Sequence, residues 1–365
     1  MNQTVLVLFG GRSTEHEISI LSAEFVYRTL SESSKNYHLI AVYVDQSGQF
    51  YGFQKPIPRT KAEVDTIEKT PLYFIPGDEQ PIRAAKPSVL GQSDETIDTS
   101  NAVLFPVLHG PNGEDGTLQG FLRMLNLPFV GCDVLGSALC MDKAMMKPVL
   151  AAAGIDSARY IIALSHQPVH PADIFQELGE TVFVKPARQG SSVGVSKATS
   201  ADELILAMQT AFRYDSKILI EEAIIGREIE CSVLGNEEPE ASLPAEIVMK
   251  GGFYSYDAKY IENDTAQLHI PADLPSQDQK RIRDVAIRTY KALDCEGMAR
   301  VDTFFTASGR VVVNEVNTIP GFTQISMYPK MWQASGLQSD KLMDRLVQSA
   351  TDRHTKRSKF ETQHG

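Results

Sequence analysis

Four polar residues in two short stretches carry the spacing that could do chemistry. Arg300 and Asp302 lie in Met298 to Phe305, and Glu315 and Asn317 lie in Val311 to Asn317. Ser308-Gly309 between the stretches is a tight-turn signal, so they read as a hairpin. Folding about that turn sets Thr306 opposite Val311, Phe304 opposite Val313, Asp302 opposite Glu315 and Arg300 opposite Asn317. A side-chain period of two places all of these on one face. Carboxylates directly opposite each other repel, and the apolar flanks Val301, Phe305 and Val311 to Val313 mark a buried strand pair where acids need partners. The carboxylates of Asp302 and Glu315 and the amide of Asn317 are oxygen donors of the kind a hard divalent cation takes. The pattern predicts a magnesium site; an exposed hairpin with unrelated acids is the plainer alternative.

A second group points to phosphate. Lys185 ends the apolar run Thr181 to Pro186 and precedes the loop Gln189-Gly190-Ser191-Ser192-Val193-Gly194. Small residues there let backbone N–H groups close on phosphate oxygens. The Walker pattern GxxxxGK[ST] is missing, so a nucleotide triphosphate would be held without a P-loop. A lysine at a strand end is, on its own, usually just a solvated terminus.

These groups need a scaffold. Thr4 to Phe9 is a buried-strand run followed by Gly10-Gly11-Arg12-Ser13, a helical pattern from about Glu17 to Leu30, and a strand from Leu39 to Val44. That is a βαβ opening whose first turn could hold an anion, although the absence of GxGxxG makes a dinucleotide reading weak. Residues 54–101 read as an elaborated loop or small hairpins. Ala102 to Leu108 is another strand, ending in His109-Gly110-Pro111-Asn112-Gly113-Glu114-Asp115-Gly116, a ligand-type loop at a strand's C-terminal end. Thr117 is expected to cap a helix to about Leu125, and Ser137 to Ala153 reads as one helix ended by Gly154. Strands follow at Lys217 to Ala223, Glu228 to Leu234 and Ala245 to Met249. Ser200 with Glu203 is a capping box, Ser276 to Leu293 an amphipathic helix, and Ser339 to Ala350 a last helix before a polar tail expected to fray.

Composition narrows the classes. At 365 residues the chain exceeds one ordinary core, and 42% hydrophobic with 22% charged residues is a globular composition. The net charge of −11 argues against nucleic acid and anionic membranes as partners. Cys132, Cys140, Cys231 and Cys295 lack metal-type spacing and read as core thiols in a reducing compartment. With no signal-like N-terminus or long apolar span, a cytoplasmic location is expected.

Taken in order, FVKPARQGSSVG, ILIEEAIIGREIE, MARVDTFF and NEVNTIPGFT resemble the ATP-grasp fold. More narrowly, GGRSTEHEIS, VLHGPNGEDGTLQG, VGCDVLGSALCMDK and YSYDAKY resemble the D-alanine–D-alanine ligases, with the likeness running from about Thr4 to Ala350. The resemblance implies an α/β, three-domain fold with an N-terminal Rossmann-like open parallel sheet. Its expected limits are 1–136, 137–222 and 223–350, with a tail at 351–365. It implies that ATP phosphorylates one D-alanine and that the amine of a second attacks the acyl phosphate.

Lys143 and Lys185 would then hold ATP phosphates beside Ser191, Ser192 and Asn314. Glu221 and Glu228 would take adenine and ribose, with Ala223 and Ile224 backbone, Phe183 and Phe304 against the base, and Glu222 also at the ATP site. Glu15, His109, Arg300, Gly321 and Ser326 would meet the substrates. Ser191 and Tyr260 would bond to Glu15 over the site. The metal would be two Mg²⁺ or Mn²⁺ on Asp302, Glu315 and Asn317, with a monovalent cation as a further candidate, and a homodimer is the expected assembly. Gln189 stands where some members carry Glu, and Ala223 where some carry an aromatic residue. The Lys259-Tyr260 pair favours an amine over D-lactate as the second nucleophile; a D-lactate or other D-amino acid ligase is the sister reading. A silent nucleotide-binding protein or a Rossmann oxidoreductase is the alternative from another class.

Overall fold

The computed structural model describes residues 2–91, 93–167, 169–249 and 266–360. Three sheets organise them. The first has the strand order Ile82–Ala84, Thr70–Phe74, Phe50–Phe53, His38–Val44, Thr4–Gly10, Ala102–Pro106. Thr4–Gly10 lies parallel to both of its neighbours, while the strands from residues 50–84 add on antiparallel. The expected open parallel sheet is therefore a mixed one, because Phe50–Phe53 and two short strands within 54–101 add on antiparallel, the small-hairpin form expected as one alternative for that segment. Central strands buried on both faces read as continuous apolar runs, and Val5 through Phe9 are fully buried.

Helix His16–Ser31 follows the first strand through Gly10 and Gly11, both with left-handed φ. A Cβ on Gly10 would stand 2.3 Å from the Val44 carbonyl oxygen, so only glycine fits that turn. The same face of the sheet is covered by the C-terminal helix. Val5, Val7 and Phe9 share one core with Leu342, Met343, Leu346, Val347 and Ala350. That helix runs Ser339–Arg357 and does not fray at Ala350. Arg353, 6% exposed, donates to the Phe129 and Gly131 carbonyls at 2.6 Å each. A polar composition concealed this anchor.

The second sheet has the order Tyr160–Leu164, Lys217–Glu222, Val182–Pro186, Ser196–Ala198. Helices Pro171–Leu178 and Ala201–Ala211 cover the face bearing Val182, Val184, Ile218 and Ile220. Its other face carries Phe183, Lys185, Leu219 and Glu221 by alternation. The chain arrives there through two helices, Val134–Met141 and Lys143–Ala152. The single helix expected over 137–153 is broken at Asp142, whose extended backbone and carboxylate cap Ala144 and Met145. Thr117 likewise begins its helix without capping it; Gly116 holds the cap position in a left-handed conformation.

The third sheet runs Ala266–His269, Ala245–Met249, Arg227–Leu234, Met298–Phe305, Val311–Asn317, with Glu240–Ala241 paired to Arg227–Leu234. Helix Ser276–Ala292 packs Ile282, Ala286 and Tyr290 beneath it.

Candidate active site

The hairpin register has Arg300 opposite Asn317 and Asp302 opposite Glu315, as the turn predicts. Beyond that pair the ladder slips by one residue: Thr303 faces Val313, Phe304 faces Val312 and Phe305 faces Val311. The expected pairings of Phe304 with Val313 and Thr306 with Val311 are corrected accordingly. Asn314 is the extra residue of a β-bulge, a feature that re-aims a side chain, and its amide oxygen accepts from Lys185 Nζ at 3.2 Å.

Protein cations stand beside the two opposed acids. Arg300 binds both Asp302 oxygens at 2.7 Å, and its Nε lies 3.2 Å from Glu230. Burial opposes the Arg300 charge, but Asp302 and Glu230 outweigh it and hold the guanidinium protonated. Asn317 donates to Asp302 at 2.9 Å, and Glu315 lies 3.4 Å from Lys143 Nζ. Opposed acids on this hairpin thus do not by themselves require a metal. Two carboxylates and an amide still fit the hard-oxygen set that Mg²⁺ takes, since each carboxylate keeps further lone pairs. Among the described residues no group of three or more His, Cys, Asp and Glu side chains gathers to hold a metal.

Across from the hairpin, Lys143 opens its helix and donates to the Gln189 carbonyl at 2.9 Å. Lys185 pairs with Glu221 at 2.7 Å. Burial disfavours the Glu221 charge, yet Lys185 and Lys147 together keep its pKa below the ordinary value. Phe183 stands opposite Glu221 in the second sheet, and Phe304 opposite Glu228 in the third. Glu222 turns to the other face, where Arg159 binds its carboxylate at 2.7 Å, leaving its backbone as the part that faces the ATP site. The Ala223 N–H is occupied by the Thr181 carbonyl, which leaves that residue only its carbonyl for a ligand; Ile224 beside it is half-buried.

Glu15, at the start of the first helix, accepts a hydrogen bond from Ser191 Oγ in the Gly/Ser loop. Ser191 and Ser192 both hold left-handed φ, a strain that non-glycine residues keep at functional sites. Tyr260, expected to join them, lies outside the described residues. His109 is buried with both ring nitrogens engaged, Nδ1 with the Ile319 carbonyl at 3.1 Å and Nε2 with Ser22 Oγ at 2.9 Å. Burial lowers its basicity, but Glu114 reverses this and raises the pKa above the ordinary value. Ser326 Oγ accepts from the Thr323 N–H at 2.9 Å, and a Cβ on Gly321 would approach that oxygen to 2.9 Å.

A cleft of about 430 Å³ brings together Glu15, His109, Ser191, Arg300, Glu315, Asn317, Gly321 and Ser326. Glu114 and Glu230 also line it and were not singled out from the sequence. Glu114 was in view within the HGPNGEDG loop, and Glu230 sits two residues after Glu228, opposite Asp302. Lys147 was missed as well; its only signal is the four-residue step from Lys143.

Comparison with known proteins accords with this geometry. The "D-ala D-ala ligase N-terminus" family model matches residues 4–132, and the "D-ala D-ala ligase C-terminus" model matches residues 149–348. A D-alanine–D-alanine ligase from Shouchella clausii is 46% identical over 95% of this chain and 94% of its own. The solved D-alanine–D-alanine ligase from Coxiella burnetii superposes with a TM-score of 0.86 at 38% identity, covering 98% of this chain and 96% of its own. VanG D-Ala:D-Ser ligase from Enterococcus faecalis gives 0.82 at 34% identity, with 96% of this chain and all (100%) of its own covered. Glu15 bonded to Ser191, Arg300 on Asp302, and paired lysines facing them therefore sit in a frame matched along nearly its whole length, and the chain belongs to the D-alanine–D-alanine ligase family.

Proposed function

We propose that this protein joins two D-alanine molecules to D-alanyl-D-alanine at the expense of ATP, supplying a peptidoglycan precursor. The observation that carries the reading is one cleft in which Arg300 on Asp302 and Glu230 meets Glu15 on Ser191, with Lys143 reaching Glu315 at its edge. In the first step a carboxylate oxygen of one D-alanine attacks the γ-phosphorus, and the bond to the β,γ-bridging oxygen breaks to release ADP. In the second step the amine of another D-alanine attacks the acyl carbon. The amine loses a proton, and phosphate departs with the electrons of the C–O bond.

Lys143 and Lys185 bind phosphate oxygens, while Arg300 and the Gly321 N–H stabilise the charge that develops on the transferring phosphoryl and the oxyanion. Glu15 orients the first ammonium. Ser326 meets the second carboxylate, His109 fixes the wall between them, and Ser191 and Ser192 close over the phosphates. Phe183, Phe304, Glu221, Glu228 and the backbone of Ala223 and Ile224 form the nucleoside pocket. Asp302, Glu315 and Asn317 would hold two Mg²⁺ or Mn²⁺, which neutralise phosphate charge when bound.

A cytoplasmic homodimer with three domains at the expected limits is the form we propose, a monovalent cation being a further activator to test. The negative net charge supports small molecules over nucleic acid as ligands. Among the described residues no helix is long and apolar enough to cross a membrane. Purified protein mixed with ATP, Mg²⁺ and D-alanine should release one phosphate per dipeptide. Phosphate release only with D-serine or D-lactate as second substrate would assign the sister activity, and none with any of them would overturn the ligase reading.

A further inference from the structure

Lys147 is a lysine that no step above uses. It lies one helical turn beyond Lys143 and is 1% exposed. Its Nζ donates to the Ala158 carbonyl at 3.1 Å, pairs with one Glu221 oxygen at 3.0 Å and stands 5.2 Å from the centre of the Tyr160 ring. The other Glu221 oxygen takes Lys185 at 2.7 Å. One buried carboxylate is therefore shared by two ammonium groups, only one of which is expected to touch ATP.

We propose that Lys147 is a positioning residue for ATP binding: it keeps Glu221 paired when Lys185 moves from that carboxylate to a phosphate oxygen. The inference rests on the ligase reading above. If Lys185 were the sole partner of Glu221, moving it onto ATP would strand a buried carboxylate, and removing one member of a buried ion pair is heavily penalised. Lys147 stays behind on a fixed anchor, the Ala158 carbonyl, so the transfer leaves no unpaired charge. Its positive charge also repels the Lys185 ammonium, which favours the outward move. Burial and Lys185 hold the Lys147 pKa below its ordinary value, with Glu221 acting against them. The Glu221 pKa is lowered, so the shared acid remains ionised between the two lysines. Asn314, which accepts from Lys185 at 3.2 Å, marks the side toward which Lys185 can move.

The test compares wild type with Lys147→Met and Lys147→Gln, the glutamine retaining a donor for Ala158. ATP affinity is measured by equilibrium titration, and KM for ATP and for D-alanine by steady-state assay, with thermal melting to confirm folding. Both variants should lose about tenfold in ATP affinity, the factor that about 1.4 kcal/mol sets. Their D-alanine KM should stay within about twofold, the scatter expected of uncoupled sites. In a Glu221→Gln background, adding Lys147→Met should change ATP affinity by less than about twofold. Unchanged ATP affinity in a folded Lys147→Gln, an equal rise in D-alanine KM, or a full-sized effect without Glu221 would each overturn the proposal. Wild-type protein that releases no phosphate would sink the ligase reading instead, a separate result from the same assay.

Discussion

Glu315 lies between the Asp302 strand and the Lys143 helix, with its side chain 20% exposed. Replacing it by Gln removes a charge without removing volume, so the fold should persist while turnover collapses. We expect Glu315→Gln to lower kcat by about a hundredfold or more, the scale of losing one electrostatic stabiliser. Near-normal kcat in steady-state assays would remove Glu315 from the metal set. Glu221 yields a pH prediction. Its folded pKa lies below the ordinary 4.5, so it stabilises the fold fully above pH 4.5 and loses that contribution as pH falls through the lower folded value. Glu221→Gln should therefore be less stable than wild type near neutrality, with the gap closing below pH 4.5 in denaturant titrations at several pH values. Asp302 and Glu315 were legible because the turn and a two-residue period fix their pairing. Lys147 and Glu230 were not, since a lysine on a helix and an acid on a strand look like solvated side chains until burial is known.

The hairpin and its bulge explain why part of the register escaped the sequence. Val311-Val312-Val313 is uniformly apolar, so the pattern does not say which valine faces Phe304. Asn314 and Glu315 both turn toward the site although they are adjacent, which strict alternation forbids. Asn314→Ala removes the acceptor that Lys185 reaches, a bond worth about 1 kcal/mol. The protein should lose about that much stability in chemical denaturation, because the bond is present without ATP. The break at Asp142 was hidden for a similar reason, because Cys140-Met141 and Ala144-Met145-Met146 continue an apolar run across it. In the His109 loop a Cβ on Gly113 would lie 2.0 Å from the Leu108 carbonyl oxygen. Gly113→Ala should displace that loop, cost about 2 kcal/mol in thermal melting and raise KM for D-alanine, since His109 and Glu114 flank the cleft.

At the scale of the whole molecule, the motifs announced a nucleotide-using α/β enzyme, but how its distant segments interlock was not written in any local pattern. Ser33 and Tyr37 from the start of the chain donate to Asp344 at 2.7 and 3.0 Å. Arg353 secures the loop at Phe129 and Gly131. Arg353→Met leaves two buried carbonyls without donors and should destabilise the protein by about 2–4 kcal/mol in chemical denaturation. A loss below about 0.5 kcal/mol, the level of an ordinary surface change, would show the anchor to be dispensable. One core holds both Val5 and Val347, so the opening strands cannot be sealed while the ribosome has yet to translate the closing helix. Helix His16–Ser31 covers only part of that face, so for most of synthesis a nascent chain must carry the apolar surface that the closing helix buries, a natural landing site for a chaperone, and a stop codon only a few dozen positions early would leave it uncovered for good.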